Sequence, residues 1–158
     1  MAESNQENSG QQFAIQKIYT KDVSFESPNA PAIFGNGEWQ PEINVQLNSG
    51  HQNVGENAYE VVLTITVTAK QGDKTAFLVE VQQAGMFIMS GFSEEALAGM
   101  LGVYCPEALF PFAREAIVGL VSKGGFPQFL LSPVNFSNLY AHHVQQQQAS
   151  GAAEDTAH

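Results

Sequence analysis

The chain has 158 residues, of which 44% are hydrophobic, and a formal net charge of −10 from 16 acidic and 6 basic residues. This size and hydrophobic fraction indicate one folded domain and exclude wholesale disorder. The acidic balance argues against binding to nucleic acid or insertion into an anionic membrane, since both need basic residues, and it favours a basic protein partner.

The cysteine content and the terminal sequences predict a cytoplasmic protein. Cys105 is the single cysteine, so no intrachain disulfide is expected and a reducing compartment is indicated. Residues 1–12 lack the basic start and apolar run of a secretion signal, and no stretch is expected to reach the ~20 apolar residues of a membrane span. We predict flexible polar tails over residues 1–12 and 148–158 around a single domain at 13–147.

The first half of this domain alternates with the period of β-strands. We predict strands over residues 13–26, 42–48 and 59–69, and a fourth from Thr75 after a tight turn. The alternation in the first strand predicts two faces, with Tyr19, Val23 and Phe25 on one and Thr20, Asp22, Ser24 and Glu26 on the other. In the fourth strand it directs Leu78 and Glu80 outward. Strands followed by helices predict an α+β fold, a four-stranded antiparallel sheet with helices on one face.

The second half carries helical patterns. Ser93 is expected to cap a first helix, and Ser132 or Asn135 a last one that ends near residue 147. Between them, a helix from about Pro106 is expected to break or kink at Pro111. This central helix is apolar almost all the way round, and one sheet covers only one helix face. We therefore predict that another copy of the chain covers the rest.

The sequence contains no convincing catalytic or metal-binding pattern. The adjacent His142 and His143 diverge by about 100° on a helix, so they do not clasp one metal together. Cys105 is expected to be a buried thiol. Asp22 and Glu26 lie about 13 Å apart on an extended strand, beyond the ~5–9.5 Å of glycosidase carboxylates. These two acids belong either to an ordinary solvated face or to a docking surface for a basic partner.

Five segments in consistent order resemble the SecB family of bacterial protein-export chaperones. They are "IYTKDVSFESPNAP" (18–31), "YEVVLTITVTA" (59–69), "TAFLVEVQQAGMF" (75–87), "YCPEALFPFAREAI" (104–117) and "GGFPQFLLSPVNF" (124–136). The resemblance implies a homotetramer, a dimer of dimers with sheets outside and helices between. It also implies an ATP-independent chaperone with no enzymatic activity and no cofactor or metal. Such a chaperone holds unfolded precursor proteins and delivers them to the motor protein SecA.

The resemblance assigns two kinds of site. SecA is expected to dock on the outer sheet face at Asp22, Glu26, Leu78 and Glu80. Precursor proteins are expected to bind two apolar loops, at Ile33, Phe34, Trp39, Phe126, Phe129, Leu130 and Leu131. Large apolar residues are unusual in loops, although such residues also plug the edge of a core. Two alternatives stay open: a structural oligomer without clients, and a small-molecule-binding protein, for which the inner sheet face offers few polar residues.

Overall fold

The computed structural model describes residues 10–155 apart from residue 36. The predicted N-terminal tail therefore lies largely outside the described residues, as do residues 156–158 of the predicted C-terminal tail. The elements in chain order are β1 (Gln12–Glu26), a 3₁₀ turn (Ala32–Gly35), β2 (Glu42–Gly55), β3 (Ala58–Gln71), β4 (Lys74–Ser90), α1 (Glu94–Gly99), a π-helical turn (Met100–Tyr104), α2 (Cys105–Lys123) and α3 (Phe136–Asp155).

The strands form one antiparallel sheet in the order β1-β4-β3-β2. Alternate residues of the two central strands are buried on the inner face, among them Val61, Leu63, Val79 and Val81. These residues pack against α2 in a single hydrophobic core. The predicted α+β fold, with an antiparallel sheet and helices on one face, is confirmed.

The first strand contains two irregularities, between Ile15 and Lys17 and between Thr20 and Asp22. Each inserts one residue that has no partner on β4, so the alternation of faces changes phase there. Asp22 pairs with Gln82, whereas Thr20 pairs with the buried, inward Gln83. The predicted faces of Tyr19 and Thr20 were therefore wrong: Tyr19 is outward and Thr20 inward.

The hairpin of β2 and β3 is longer than its sequence pattern predicts. Residues 49–55, which lie beyond the strand predicted over 42–48, continue β2 and pair with β3 as far as Gly55 opposite Ala58. The turn places Asn57 at a φ of 55°. The expectation failed because this end of the edge strand is exposed on both sides and carries polar residues on both.

The helical region confirms one expectation and corrects another. α1 begins as predicted, because the Ser93 side chain accepts a hydrogen bond from the backbone N–H of Ala96. α2 includes Pro111 without breaking there, since the flanking turns remain anchored by Leu109 and Ala113 in the core.

The π-helical turn joins α1 to α2 in one run, Glu94–Lys123, which is long and apolar enough to cross a membrane. The expectation that no stretch reaches that length was thus wrong. Length and composition alone do not distinguish a spanning helix from a packing helix. One third of the most apolar window of this run is buried within the protein.

The last helix, α3, is capped by Asn135, whose side chain accepts from the N–H of Asn138. It extends to Asp155, eight residues beyond the predicted end near residue 147. Its contact with the body is narrow: Phe136 is buried, and the Tyr140 ring lies against Gly102, where an added Cβ would sit 2.5 Å from the ring. Leu139, on the turn between these two residues, is exposed.

Candidate functional site

The four residues predicted to dock SecA lie together on the outer sheet face. Glu26 and Leu78 are direct cross-strand partners, and Glu80 stands opposite Ser24 in the next outward pair. Asp22 follows one outward pair further along β1. We call these four residues the acidic patch. Glu80 accepts a 2.9 Å hydrogen bond from the Thr66 hydroxyl of β3, which orients its carboxylate.

Beside the acidic patch, a hydrogen-bonded group connects β1, β3 and β2. The Glu60 carboxylate accepts from the Tyr19 hydroxyl, from Lys21 Nζ at 2.8 Å and from Gln52 Nε2 at 3.1 Å. These partners lower the pKa of Glu60, the bond from Lys21 contributing most. Burial, together with the bond to Glu60, raises the pKa of Tyr19 to about 12. We call this group the Glu60 network; the sequence pattern did not indicate it, because the phase change in β1 is invisible there.

The two apolar loops meet on the inner side of the sheet around Phe126. Its ring centroid lies 5.1 Å from Phe34, 5.4 Å from Trp39 and 5.1 Å from Phe77. Phe129 also contacts Phe77, at 6.4 Å. We call these five rings the aromatic cluster. The segment after β1 and the segment after α2 are therefore one surface.

Burial divides the seven predicted client-binding residues. Ile33, Phe126 and Leu131 are buried and plug the edge of the core, with relative exposures of 4%, 6% and 6%. Phe34 and Leu130 are exposed, at 51% and 72%. Trp39 and Phe129 are partly buried against the core. The side chains available to a partner are thus chiefly Phe34 and Leu130, held in place by buried neighbours.

A groove between β1 and α2 was not predicted. Its lining residues are Ile18, Tyr19, Thr20, Val23, Gln83, Phe112, Glu115, Ala116, Gly119, Leu120 and Lys123. The polar side chain of Gln83 is already engaged: it donates to the Tyr19 carbonyl at 3.0 Å and faces the Thr20 hydroxyl at 3.4 Å. These polar groups therefore bond within the sheet, while the charged lining residues Glu115 and Lys123 are exposed on α2.

The side chains that could act as a nucleophile or a metal ligand do not form a site. The Cys105 thiol is buried, and desolvation raises its pKa to about 12, which disfavours the reactive thiolate at neutral pH. His143 lies within 3.0 Å of Gln147 on the exposed side of α3. Within residues 10–155, no group of three or more His, Cys, Asp or Glu side chains has a metal-binding arrangement.

Comparison with known proteins identifies the family. The sequence profile described as "Preprotein translocase subunit SecB" matches residues 6–147. The chain belongs to the SecB family. The protein-export protein SecB of Nitrosococcus oceani is 60% identical over 155 residues, covering 95% of this chain and 94% of that protein. The SecB of Marinobacter nauticus is 52% identical over 159 residues, covering 98% and 96%.

A solved structure supports the fold. A SecB-like chaperone from Mycobacterium tuberculosis, in complex with a ChAD peptide from an antitoxin, superposes with a TM-score of 0.63. It is 16% identical, and the match covers 80% of this chain and 91% of that one. The SecB fold is therefore shared at a level where the sequences have diverged widely.

Proposed function

We propose that this SecB-family protein is an ATP-independent chaperone for protein export. Its domain, residues 13–147, holds unfolded precursor proteins in the cytoplasm in a translocation-competent state and delivers them to SecA. It performs no enzymatic reaction and uses no cofactor. The observation that carries the proposal is that exposed apolar loops and an acidic patch occupy opposite faces of one sheet.

The exposed Phe34 and Leu130 suit the recognition of unfolded chains. Clients of varied sequence share apolar side chains rather than a fixed pattern of charges, so the binding surface must be apolar and tolerant. Phe34 lies beside the buried Phe126, with ring centroids 5.1 Å apart, and Leu130 directly precedes the buried Leu131 in the chain. Buried neighbours restrict the motion of these exposed side chains before a client binds, which lowers the entropic cost of binding.

The outward side of α2 favours assembly into a homotetramer, a dimer of dimers. Phe112 of α2 is 46% exposed, and Tyr104, the last residue of the π-helical turn before α2, is 48% exposed, whereas the opposite side of α2 is in the core. Phe112 also lines the groove beside β1. Exposed aromatic residues along an apolar helix are typical of subunit interfaces. We infer that copies of the chain cover them, and the same burial explains why a membrane-length helix belongs to a water-soluble particle.

The holding activity is tested with a denatured precursor protein diluted into buffer without ATP. The proposal expects suppressed light scattering at stoichiometric tetramer and a native mass of four chains by sedimentation. An intact tetramer that does not delay aggregation would favour the alternative of a structural oligomer.

The SecA contact is tested by reversing charge on the acidic patch with Asp22→Lys and Glu26→Lys together. Exposed charge pairs contribute ~0.2–1 kcal/mol each and weaken with salt, so we expect about a tenfold loss of SecA affinity at low salt. The matched control, Glu38→Lys with Glu56→Lys, alters the net charge equally at exposed positions outside the sheet face. Equal losses in both double variants would refute a localised docking site.

A further inference from the structure

The bulge in β1 places a lysine at the border of the acidic patch. Tyr19 is outward and Thr20 inward, and Asp22 then pairs with the outward Gln82. Lys21 also reaches the outer face, because its Nζ lies 2.8 Å from the carboxylate of Glu60. Two consecutive residues, Lys21 and Asp22, therefore have side chains on the same side of the sheet, which regular alternation forbids.

This juxtaposition would weaken a surface that attracts cations. A free lysine beside Asp22 is able to swing toward the neighbouring carboxylate and partly neutralise it, and it repels a basic partner directly. The lysine side chain is long and 43% exposed, so without a bonding partner it would be free to move.

The Glu60 network holds this cation away from the acidic patch. Glu60 lies two strands from β1, and its side chain is only 12% exposed. Tyr19 and Gln52 donate to the same carboxylate from opposite sides, across β4 and from β2. A carboxylate fixed by three donors from two other strands provides a rigid counter-ion for Lys21.

We propose that Glu60 is a positioning residue for SecA docking: by binding Lys21 it keeps that cation from neutralising Asp22. Glu60 need not touch SecA, because its carboxylate is already occupied. The inference rests on the proposed docking function and adds a residue outside the acidic patch to its control.

The test uses Glu60→Gln, which keeps the side-chain shape and removes the counter-charge. We expect SecA to bind about two- to fivefold more weakly at low salt, because interactions between exposed charges change affinity by about this factor. At high salt we expect little difference, because salt screens these interactions. Adding Lys21→Gln to Glu60→Gln should restore the affinity, because the released cation is then absent. Thermal unfolding of each variant checks the fold.

The matched control separates position from net charge. Lys17→Gln removes another outward lysine of β1, paired with Met86, so Glu60→Gln with Lys17→Gln has the same charge as the rescued double variant. We expect no restoration there. Restoration by both lysine changes would reduce the effect to net charge, and restoration by neither would make Glu60 itself a contact; either result overturns the proposal.

Two further outcomes are informative. If Glu60→Gln does not fold, Lys21→Gln alone provides the test: affinity should change less than twofold because the lysine charge is already offset, and a larger gain overturns the proposal. If Asp22→Lys with Glu26→Lys weakens SecA binding but Glu60→Gln does not, the docking function stands and the positioning role fails.

Discussion

Leu130 and Leu131 provide two chemically identical perturbations with opposite expected consequences. Leu131 is 6% exposed and Leu130 is 72% exposed. Leu131→Ala empties a packed site in the core, so we expect the free energy of unfolding to fall by about 2–5 kcal/mol. Leu130→Ala removes side-chain atoms already in water, so we expect a change within about 0.5 kcal/mol.

The expected effect on client binding is reversed. Complete burial of a leucine side chain contributes about 1.5–3 kcal/mol, and most of the Leu130 surface is still available for burial. A client seated on Leu130 should therefore lose about 1–2 kcal/mol with Leu130→Ala, which is about 5- to 30-fold in affinity. Folded Leu131→Ala should bind within about threefold of the parent protein, because its side chain does not reach the surface.

Two assays separate these effects. Urea unfolding followed by circular dichroism gives stability at a fixed subunit concentration, which matters because assembly contributes to it. Fluorescence anisotropy of a dye-labelled unfolded precursor gives affinity. The reasoning is refuted if Leu130→Ala binds the precursor as tightly as the parent protein, or if it destabilises the fold as much as Leu131→Ala.

Three further predictions concern the fold. Gly124→Ala should cost about 1–3 kcal/mol of stability, because a Cβ there would lie 2.3 Å from the Phe25 ring. Gly99→Ala should be neutral or stabilising, because a Cβ there would have nothing within 4 Å. Thermal unfolding compares the two variants, and equal melting temperatures would contradict the clash. Cys105, buried and with a pKa raised to about 12, should react with a thiol reagent at pH 8 only as the protein unfolds; rapid labelling of the native protein would show that the site opens. The pKa of Tyr19 is raised to about 12, so its contribution to stability is complete below pH 10 and lost as pH rises toward 12; Tyr19→Phe should flatten that decline in alkaline unfolding curves, and an unchanged slope would argue against the shift.

The sequence predicted the central strands well because their environment is uniform. Every second residue of β3 from Val61 to Val67 is buried, so alternation in the letters follows alternation in space. Edge strands lack this regularity. The bulges of β1 have no signal in the amino-acid sequence, so the faces of Tyr19 and Thr20 could not be predicted from it. The second half of β2 is polar on both sides, so the length of the hairpin could not be predicted either.

The candidate sites show the same division. Asp22, Glu26, Leu78 and Glu80 could be placed on one face because the phase of β1 is regular after the bulge. The loop residues could be selected only by size and apolarity. Whether Leu130 or Leu131 is buried depends on the path of an irregular backbone, and the alternation rules for strands do not apply to such a segment.

The single tryptophan of the chain, Trp39, has its ring 5.4 Å from that of Phe126. Its indole emission therefore originates in the aromatic cluster, the surface that we propose for client binding. Binding and release of a tryptophan-free unfolded protein should change the fluorescence of Trp39 in stopped-flow measurements. No attached dye is then needed.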